Sequence, residues 1–209
     1  MLITVIILIS IIQSIFGVGI LLFGTPILLI LGYEFGFILS ILLPISLFVN
    51  LLQIIPNNNL KQIDYSILKN FILFSLPFVI IFLLIILNAK SSNVSLYVGL
   101  LLVIISLEKK SKFILHGLNY LVKSQKVYFI LMGIVHGLTN LGGSLLALYF
   151  NKRYSDKYYI RTNIAVLYLL FALFQIFTLY ISDSYNYIIE LNTLLYVVIG
   201  IVVYFISNR

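Results

Sequence analysis

Two short clusters rich in glycine interrupt otherwise apolar stretches of the sequence, at Gly17-Val18-Gly19 and at Asn140-Leu141-Gly142-Gly143. Glycine lacks a Cβ and weakens a helix by about 1 kcal/mol, so each cluster predicts a helix break. A helix that restarts after a break has unpaired N–H groups and about half a positive charge, a combination that favours anions. The candidate binding residues at the breaks are Gly17, Gly19, Asn140, Gly142, Gly143 and Ser144. The alternative is that the glycines only allow close packing between helices.

The composition identifies the solvent that surrounds these breaks. Of the 209 residues, 62% are hydrophobic and 9% are charged, whereas a soluble domain is about 45–50% apolar and about 25% charged. Most of the chain must therefore lie in lipid, which excludes soluble enzymes, nucleic-acid-binding modules and disulfide-stapled secreted domains. The sequence has no cysteine, and it predicts no cofactor and no metal site.

Uncharged polar side chains accompany both breaks. Gln53 and Gln175 lie on the segments that follow the breaks and are further candidate binding residues, with an interhelical hydrogen bond of about 0.6 kcal/mol as the alternative. His136 lies about 14 Å deep at 1.5 Å per residue, which makes it a candidate proton carrier. The alternative is a neutral histidine bonded to a carbonyl group. Arg161 could attract an anion from the cytoplasm, or it could extend to the membrane interface.

The elements that position these residues are apolar segments that approach or exceed the 20 or so residues of a membrane crossing. Seven are found, at Leu2–Leu31, Phe35–Ile55, Ile67–Leu87, Ser91–Leu107, Val127–Phe150, Tyr158–Ile181 and Ile188–Ile206. The first and the fifth contain the two glycine clusters. We therefore predict an all-α integral membrane protein with about seven hydrophobic segments, two of which are broken.

The positions of Lys and Arg indicate how the fifth segment crosses. If every segment crosses once, the basic residues divide almost evenly between the two sides, which gives no orientation signal. If Val127–Phe150 enters and leaves on one side, twelve of the 13 basic residues lie on that side and only Lys90 lies opposite. We therefore predict a re-entrant hairpin with cytoplasmic ends, a cytoplasmic C-terminus and a location in the bacterial inner membrane.

The two halves of the chain show weak internal similarity. A shift of 124 residues aligns Gly19 with Gly143, and a shift of 122 aligns Gln53 with Gln175. If both halves have the same shape, the N-terminus is external and the second half is inverted relative to the first, as in many secondary transporters. The predicted units are a first repeat (residues 1–107), a cytoplasmic connecting segment (108–126) and a second repeat without a last helix (127–209). The connecting segment predicts an amphipathic surface helix or, alternatively, a solvated linker.

Each half of the chain contains a short set of motifs. The first half contains Gly17-Val18-Gly19, Pro26, Gly32 and the Ser40–Gln53 span, and the second contains Gly137–Gly143, Tyr149, Asp156 and the Thr162–Gln175 span. Together they resemble the TauE/SafE sulfite-exporter family of membrane transporters over nearly the whole chain. The resemblance implies transport of small anions such as sulfite, sulfonates or sulfoacetate. Family members usually have a richer glycine run at the first break and one more helix at the end.

The function that these features favour is secondary transport of a small anion bound between the two breaks. The alternatives are a non-catalytic membrane subunit or assembly factor of a larger complex and, less favoured, an intramembrane enzyme that would use His136 and Ser144. We expect no enzyme activity. The expected partners are the lipid bilayer and an anionic substrate but no nucleic acid, and the sequence is compatible with a homo-oligomer or a partner subunit.

Overall fold

A computed structural model describes residues 1–55, 59–89, 93–107, 111–182 and 191–207. Within these ranges the regular structure is helical, which confirms the predicted all-α class. The helices are α1 (Leu2–Phe16), α2 (Ile20–Ile30), α3 (Phe35–Ile54), α4 (Tyr65–Phe74), α5 (Leu76–Asn88), α6 (Val94–Ser106), α7 (Lys112–Lys123), α8 (Gln125–Thr139), α9 (Gly142–Arg153), α10 (Lys157–Ile181) and α11 (Leu191–Ser207), with a short 3-10 helix at Asn59–Gln62.

These helices correspond to the apolar segments of the sequence. The first segment forms α1 and α2, and the fifth lies within α8 and α9. The starts of the fourth and seventh segments (91–92 and 188–190), together with Lys90, lie outside the described residues. Three stretches are long and apolar enough to cross a membrane, namely Phe35–Ile54, Tyr65–Asn88 and Lys157–Ile181. The number of complete crossings stays a prediction.

Local sequence determines where the long helices begin. The carboxylate of Asp64 accepts hydrogen bonds from the backbone N–H groups of Ser66 and Ile67 at the start of α4, each at 3.0 Å. Asp156 caps the start of α10 in the same way, and such a cap is worth about 1 kcal/mol. Only Ser75 separates α4 from α5, and Pro77 is the second residue of α5. Because proline has no N–H group to donate, it accounts for the interruption there.

Both broken segments fold back on themselves. A Cβ on Gly24 of α2 would lie 3.0 Å from Ile9 Cδ1 of α1, so residues on either side of the first break are neighbours. In the second broken segment the Tyr128 hydroxyl donates to the Leu145 carbonyl at 2.7 Å, and the rings of Tyr128 and Tyr149 lie 5.4 Å apart. The arms are therefore antiparallel, as expected of the predicted hairpins.

Helix packing repeats between the halves. Helix α1 packs against α11. In the same way α8, the counterpart of α1 in the second half, packs against α5, the counterpart of α11. Helices α3 and α10 are counterparts of each other and pack together. Gln53, near the end of α3, donates to the Gln13 carbonyl at 2.8 Å. Arg161, near the start of α10, donates to the neighbouring Ser14 carbonyl at 2.7 Å. Because the end of one helix meets the start of the other, α3 and α10 run in opposite directions. Equivalent helices that run antiparallel are the arrangement that inverted repeats require.

The connecting segment between the repeats contains a helix. Helix α7 covers Lys112–Lys123, so the segment is not only a solvated linker. Val122 is buried and Leu121 is packed against the core, while His116, Tyr120 and Lys123 are exposed. One face thus packs on the helical bundle, and the cytoplasmic location of this helix stays a prediction.

Candidate functional site

The first break (residues 13–20, here called the first tip) is built around Gln13. Helix α1 ends in Gly17, whose φ of 77° is a left-handed conformation that favours glycine and whose N–H donates to the Gln13 carbonyl at 2.9 Å. Helix α2 begins at Ile20, whose N–H donates to Oε1 of the Gln13 side chain at 3.0 Å. One residue thus binds both the end of the first arm and the start of the second.

The second break (residues 136–144, here called the second tip) is built around His136 in the same way. Asn140 has a φ of 62°, and its N–H donates to the His136 carbonyl at 2.8 Å. Helix α9 begins at Gly142, whose N–H donates to His136 Nδ1 at 3.1 Å. Asparagine tolerates the left-handed conformation better than other residues with a Cβ, which explains why Asn140 takes the role of Gly17.

These contacts fix which residues of the repeats correspond. Gln13 corresponds to His136 and Gly17 to Asn140 before the break, whereas Ile20 corresponds to Gly142 after it. The second tip is therefore one residue shorter. The shift of 122 that aligns Gln53 with Gln175 agrees with this correspondence, while the shift of 124 that aligns Gly19 with Gly143 does not.

Amides on α3 and α10 hold the two tips. Gln13 Nε2 donates to Asn50 Oδ1, and Gln53 Nε2 donates to the Gln13 carbonyl, both at 2.8 Å. At the second tip, Nε2 of His136 lies 3.1 Å from Gln175 Oε1, and the imidazole stacks on the Phe171 ring with centroids 3.7 Å apart. The polar side chains Gln13 and His136 are fully buried, and these contacts attach the tips to the central helix pair.

Several buried polar atoms around the tips have no partner among the described residues. Beside the second tip they include two donors, Gln175 Nε2 and the Tyr168 hydroxyl, and one acceptor, Asn140 Oδ1. The Tyr168 hydroxyl occupies the position that a Cβ on Gly143 would take. Beside the first tip the unpaired atoms are Gln53 Oε1 and Ser10 Oγ. Among the described residues, no unpaired side-chain amide donor lies beside this tip.

Backbone N–H groups also stay unpaired at the helix starts. The side chains of Gln13 and His136 accept hydrogen bonds from the first N–H of α2 and of α9. In the described part of the chain, the N–H groups of Leu21, Leu22 and Gly143 have no hydrogen-bond partner. Leu21 corresponds to Gly143 in the repeat, and it is fully buried. Gly143 of the second tip, unlike Leu21, therefore presents this N–H without a side chain of its own.

Arg161 lies near the first tip. Its Nη2 donates to the Ser14 carbonyl at 2.7 Å, and its Cγ would lie 3.2 Å from a Cβ on Gly17. The side chain thus turns towards the first break. It places a positive charge at the carbonyl end of α1, where the helix dipole is negative.

The second tip contacts the first hairpin, but the two helix starts do not meet end to end. Asn140 Nδ2 donates to Thr25 Oγ1 at 2.9 Å. Thr25 lies five residues beyond Ile20, which is about 7.5 Å along α2 at 1.5 Å per residue. The second tip therefore reaches the side of α2, and the helix starts are offset.

The structure distributes the candidate residues over both tips. Gly17 and Gly19 lie in the first tip, which Gln53 contacts. The second tip contains His136, Asn140, Gly142 and Gly143, and Gln175 contacts it. Ser144 donates through Oγ to the Leu141 carbonyl at 2.7 Å and lines an apolar cavity of about 180 Å³ between α6, α8 and α9. Because both His136 nitrogens contact other groups, His136 and Ser144 do not form a nucleophilic pair.

Sequence reasoning missed the roles of Gln13 and Tyr168. Gln13 and His136 each lie four residues before a left-handed residue, so the repeat register could have identified the pair. Tyr168 is one of many apolar or aromatic residues on α10, and only its contact with Gly143 distinguishes it.

The antiparallel repeats and the paired breaks are features of membrane transporters rather than of soluble folds. A family model described as sulfite exporter TauE/SafE matches residues 2–207. The chain belongs to the TauE/SafE family. Membership of this family identifies it as a multi-pass membrane protein of a transporter family, in agreement with the resemblance noted in the sequence. Searches of curated proteins and of solved structures gave no match.

Proposed function

We propose that this TauE/SafE protein is a secondary transporter for a small oxyanion, sulfite or an organosulfonate, which binds at the hairpin tips. The observation that carries the proposal is the set of unpaired donors beside the second tip, the Gly143 N–H, the Tyr168 hydroxyl and Gln175 Nε2. A buried donor without a partner costs about 1–3 kcal/mol. An oxyanion that accepts these hydrogen bonds would remove that cost, because it offers acceptors in several directions.

The candidate residues have different roles in this proposal. Gly143 leaves room for the Tyr168 hydroxyl and Gly142 leaves room for His136, while Gln175 donates to the anion. Gly17 and Gly19 form the corresponding turn of the first tip, which Gln53 holds through the Gln13 carbonyl. Ser144 lies in the first turn of α9, the helix on which the anion would rest, and Asn140 connects the second tip to α2.

Alternating access would follow from the two hairpins. Each hairpin is attached to the central pair of α3 and α10, and the two hairpins touch at Asn140 and Thr25. Movement of one hairpin against the other would open the anion to one side of the membrane at a time, as in transporters built from inverted repeats. The sequence contains no nucleotide-binding motif, so ATP hydrolysis would need another subunit.

Uptake into proteoliposomes tests this proposal. Purified protein should transport labelled sulfite, and a panel of unlabelled sulfonates and carboxylates should compete according to their fit to the site. Gln175→Leu and Tyr168→Phe should each raise KM by about 10-fold, the loss of one hydrogen bond to an anion. Tyr158→Phe is the matched control, since Tyr158 is 70% exposed. Folded protein that moves no anion of the panel would overturn the proposal.

The orientation in the inner membrane is part of the same proposal. Twelve of the 13 basic residues lie on one side if the second hairpin is re-entrant, which places that side and the C-terminus in the cytoplasm. The chain has no cysteine, so a single introduced cysteine can be labelled selectively. Cysteines at positions 90 and 153 should react from opposite sides of the membrane. Labelling of both from one side would contradict the topology.

A further inference from the structure

Gln13 and His136 occupy equivalent positions in the two repeats and make equivalent contacts. Each accepts a hydrogen bond from the first N–H of the second arm, Gln13 through Oε1 at 3.0 Å and His136 through Nδ1 at 3.1 Å. We propose that His136 is a positioning residue that acts as a neutral cap for α9, as Gln13 does for α2, and so determines which N–H groups face the anion. This inference rests on the proposed function for its effect on transport.

The second atom of each cap supports this equivalence. Gln13 Nε2 donates to an amide oxygen of α3, at Asn50, and His136 Nε2 contacts an amide oxygen of α10, at Gln175. Both caps are fully buried. Each therefore needs one acceptor and one donor in the same side chain. Glutamine has this pair as an amide, and histidine has it only as the neutral imidazole.

The hydrogen bonds select one tautomer of the imidazole. Because Nδ1 accepts from the Gly142 N–H, the proton must lie on Nε2, from which it is donated to Gln175 Oε1. A second proton on Nδ1 would face the Gly142 N–H with another donor and break the cap. Capping and proton carriage through Nδ1 therefore exclude each other while the tip has this geometry.

The cap also determines what the second tip offers to a ligand. With the Gly142 N–H engaged by His136, the next N–H, that of Gly143, is the one that lies unpaired beside the Tyr168 hydroxyl. Without the cap, the Gly142 N–H would be unpaired and the start of α9 would be free to reorient. Loss of the cap should therefore weaken anion binding although His136 does not touch the anion.

Substitutions that keep or remove the two cap functions test this role. His136→Gln retains one acceptor and one donor, and its KM for labelled sulfite should stay within about 3-fold of the wild-type value at every pH from 5.5 to 8. His136→Leu has neither and should raise KM by about 10-fold. Equal loss of transport in folded His136→Gln and His136→Leu, or a changed pH profile in His136→Gln, would overturn the proposal and favour proton carriage.

A spectroscopic measurement tests the cap independently of transport and of whether the Leu variant folds. The sequence contains two histidines, and the other, His116, is exposed. In the His116→Gln background, ¹⁵N labelling of histidine therefore reports on His136 alone. We expect one neutral tautomer, protonated on Nε2, whose signals do not move between pH 5 and 8. Titration of His136 within this pH range, or protonation on Nδ1, would overturn the proposed cap even if sulfite transport is normal. The expected spectrum together with an absence of transport would contradict only the proposed function.

Discussion

The two hairpins share a backbone design but differ in the side chains that surround it. In both, a left-handed residue ends the first arm, and a side chain from its last turn caps the start of the second. At the first tip the nearest charge is Arg161, which binds the Ser14 carbonyl. At the second tip the neighbouring groups are uncharged, and two donors, on Tyr168 and Gln175, stay unpaired among the described atoms.

This difference indicates that the repeat preserves the break while each copy can specialise. The break requires only a left-handed residue, a cap and space for the turn, and both copies meet these requirements with different residues. Leu21 fills the first tip at the position where the second tip has Gly143. We infer that the second tip carries most of the anion affinity and that the first tip is mainly held in place by Arg161 and Gln53.

Among the substitutions that test this difference between the tips, Gly143→Ala should reduce transport the most. A Cβ at position 143 would overlap the Tyr168 hydroxyl, so either α9 or the tyrosine must move. Overpacking of this kind costs about 1–3 kcal/mol, and we expect a loss of sulfite uptake of about 100-fold at the upper end of that range. The measurement is the initial rate in proteoliposomes at equal amounts of monodisperse protein.

The matched control for this variant is Gly99→Ala, at a helical glycine of α6 around which a new Cβ would meet nothing within 4 Å. It should transport like the wild-type protein, because alanine favours a helix and no neighbour is displaced. If Gly143→Ala and Gly99→Ala transport alike, the second tip does not hold the anion.

The contrast between the tips also shows what could be predicted from the sequence. Hydropathy and glycine located both breaks, because a break in an apolar helix is a local property of the chain. The shift of 124 misaligns the repeats at the break itself, because it pairs Gly19 with Gly143, whereas the fold pairs Gly17 with Asn140, which also adopts the left-handed conformation. The directions of Arg161 and Tyr168 depend on contacts across the bundle, which no local pattern encodes.

Arg161→Gln should have an intermediate effect that is specific to the first tip. It removes a hydrogen bond from a charged group to the Ser14 carbonyl, and such bonds contribute about 1.5–3 kcal/mol. We therefore expect a lower thermal unfolding temperature in detergent and a several-fold lower transport rate. Lys157→Gln, which removes an exposed charge from the same helix, is the control. Equal unfolding temperatures for the two variants would show that Arg161 does not stabilise the first tip.

Substitution of Asn140 should have the smallest effect on stability. Two variants distinguish the contribution of its backbone conformation from that of its side chain. Asn140→Gly keeps the left-handed conformation at a φ of 62° but loses the hydrogen bond to Thr25 Oγ1, so we expect a destabilisation of about 1 kcal/mol. Asn140→Ala loses the same bond and adds backbone strain of about 1–2 kcal/mol. The unfolding temperature should therefore decrease in the order wild type, Asn140→Gly, Asn140→Ala.

Thr25→Val tests the hydrogen bond between Asn140 and Thr25 from the other side. Because this variant removes the partner of Asn140 Nδ2, its destabilisation should not add to that of Asn140→Gly in the double variant. Additive destabilisation would mean that Asn140 and Thr25 act independently, and the contact between the hairpins would then not couple their movement. At the first tip Gly17 has no side chain to make such a contact, so the connection between the hairpins comes from the side-chain specialisation of the second tip rather than from the shared backbone design.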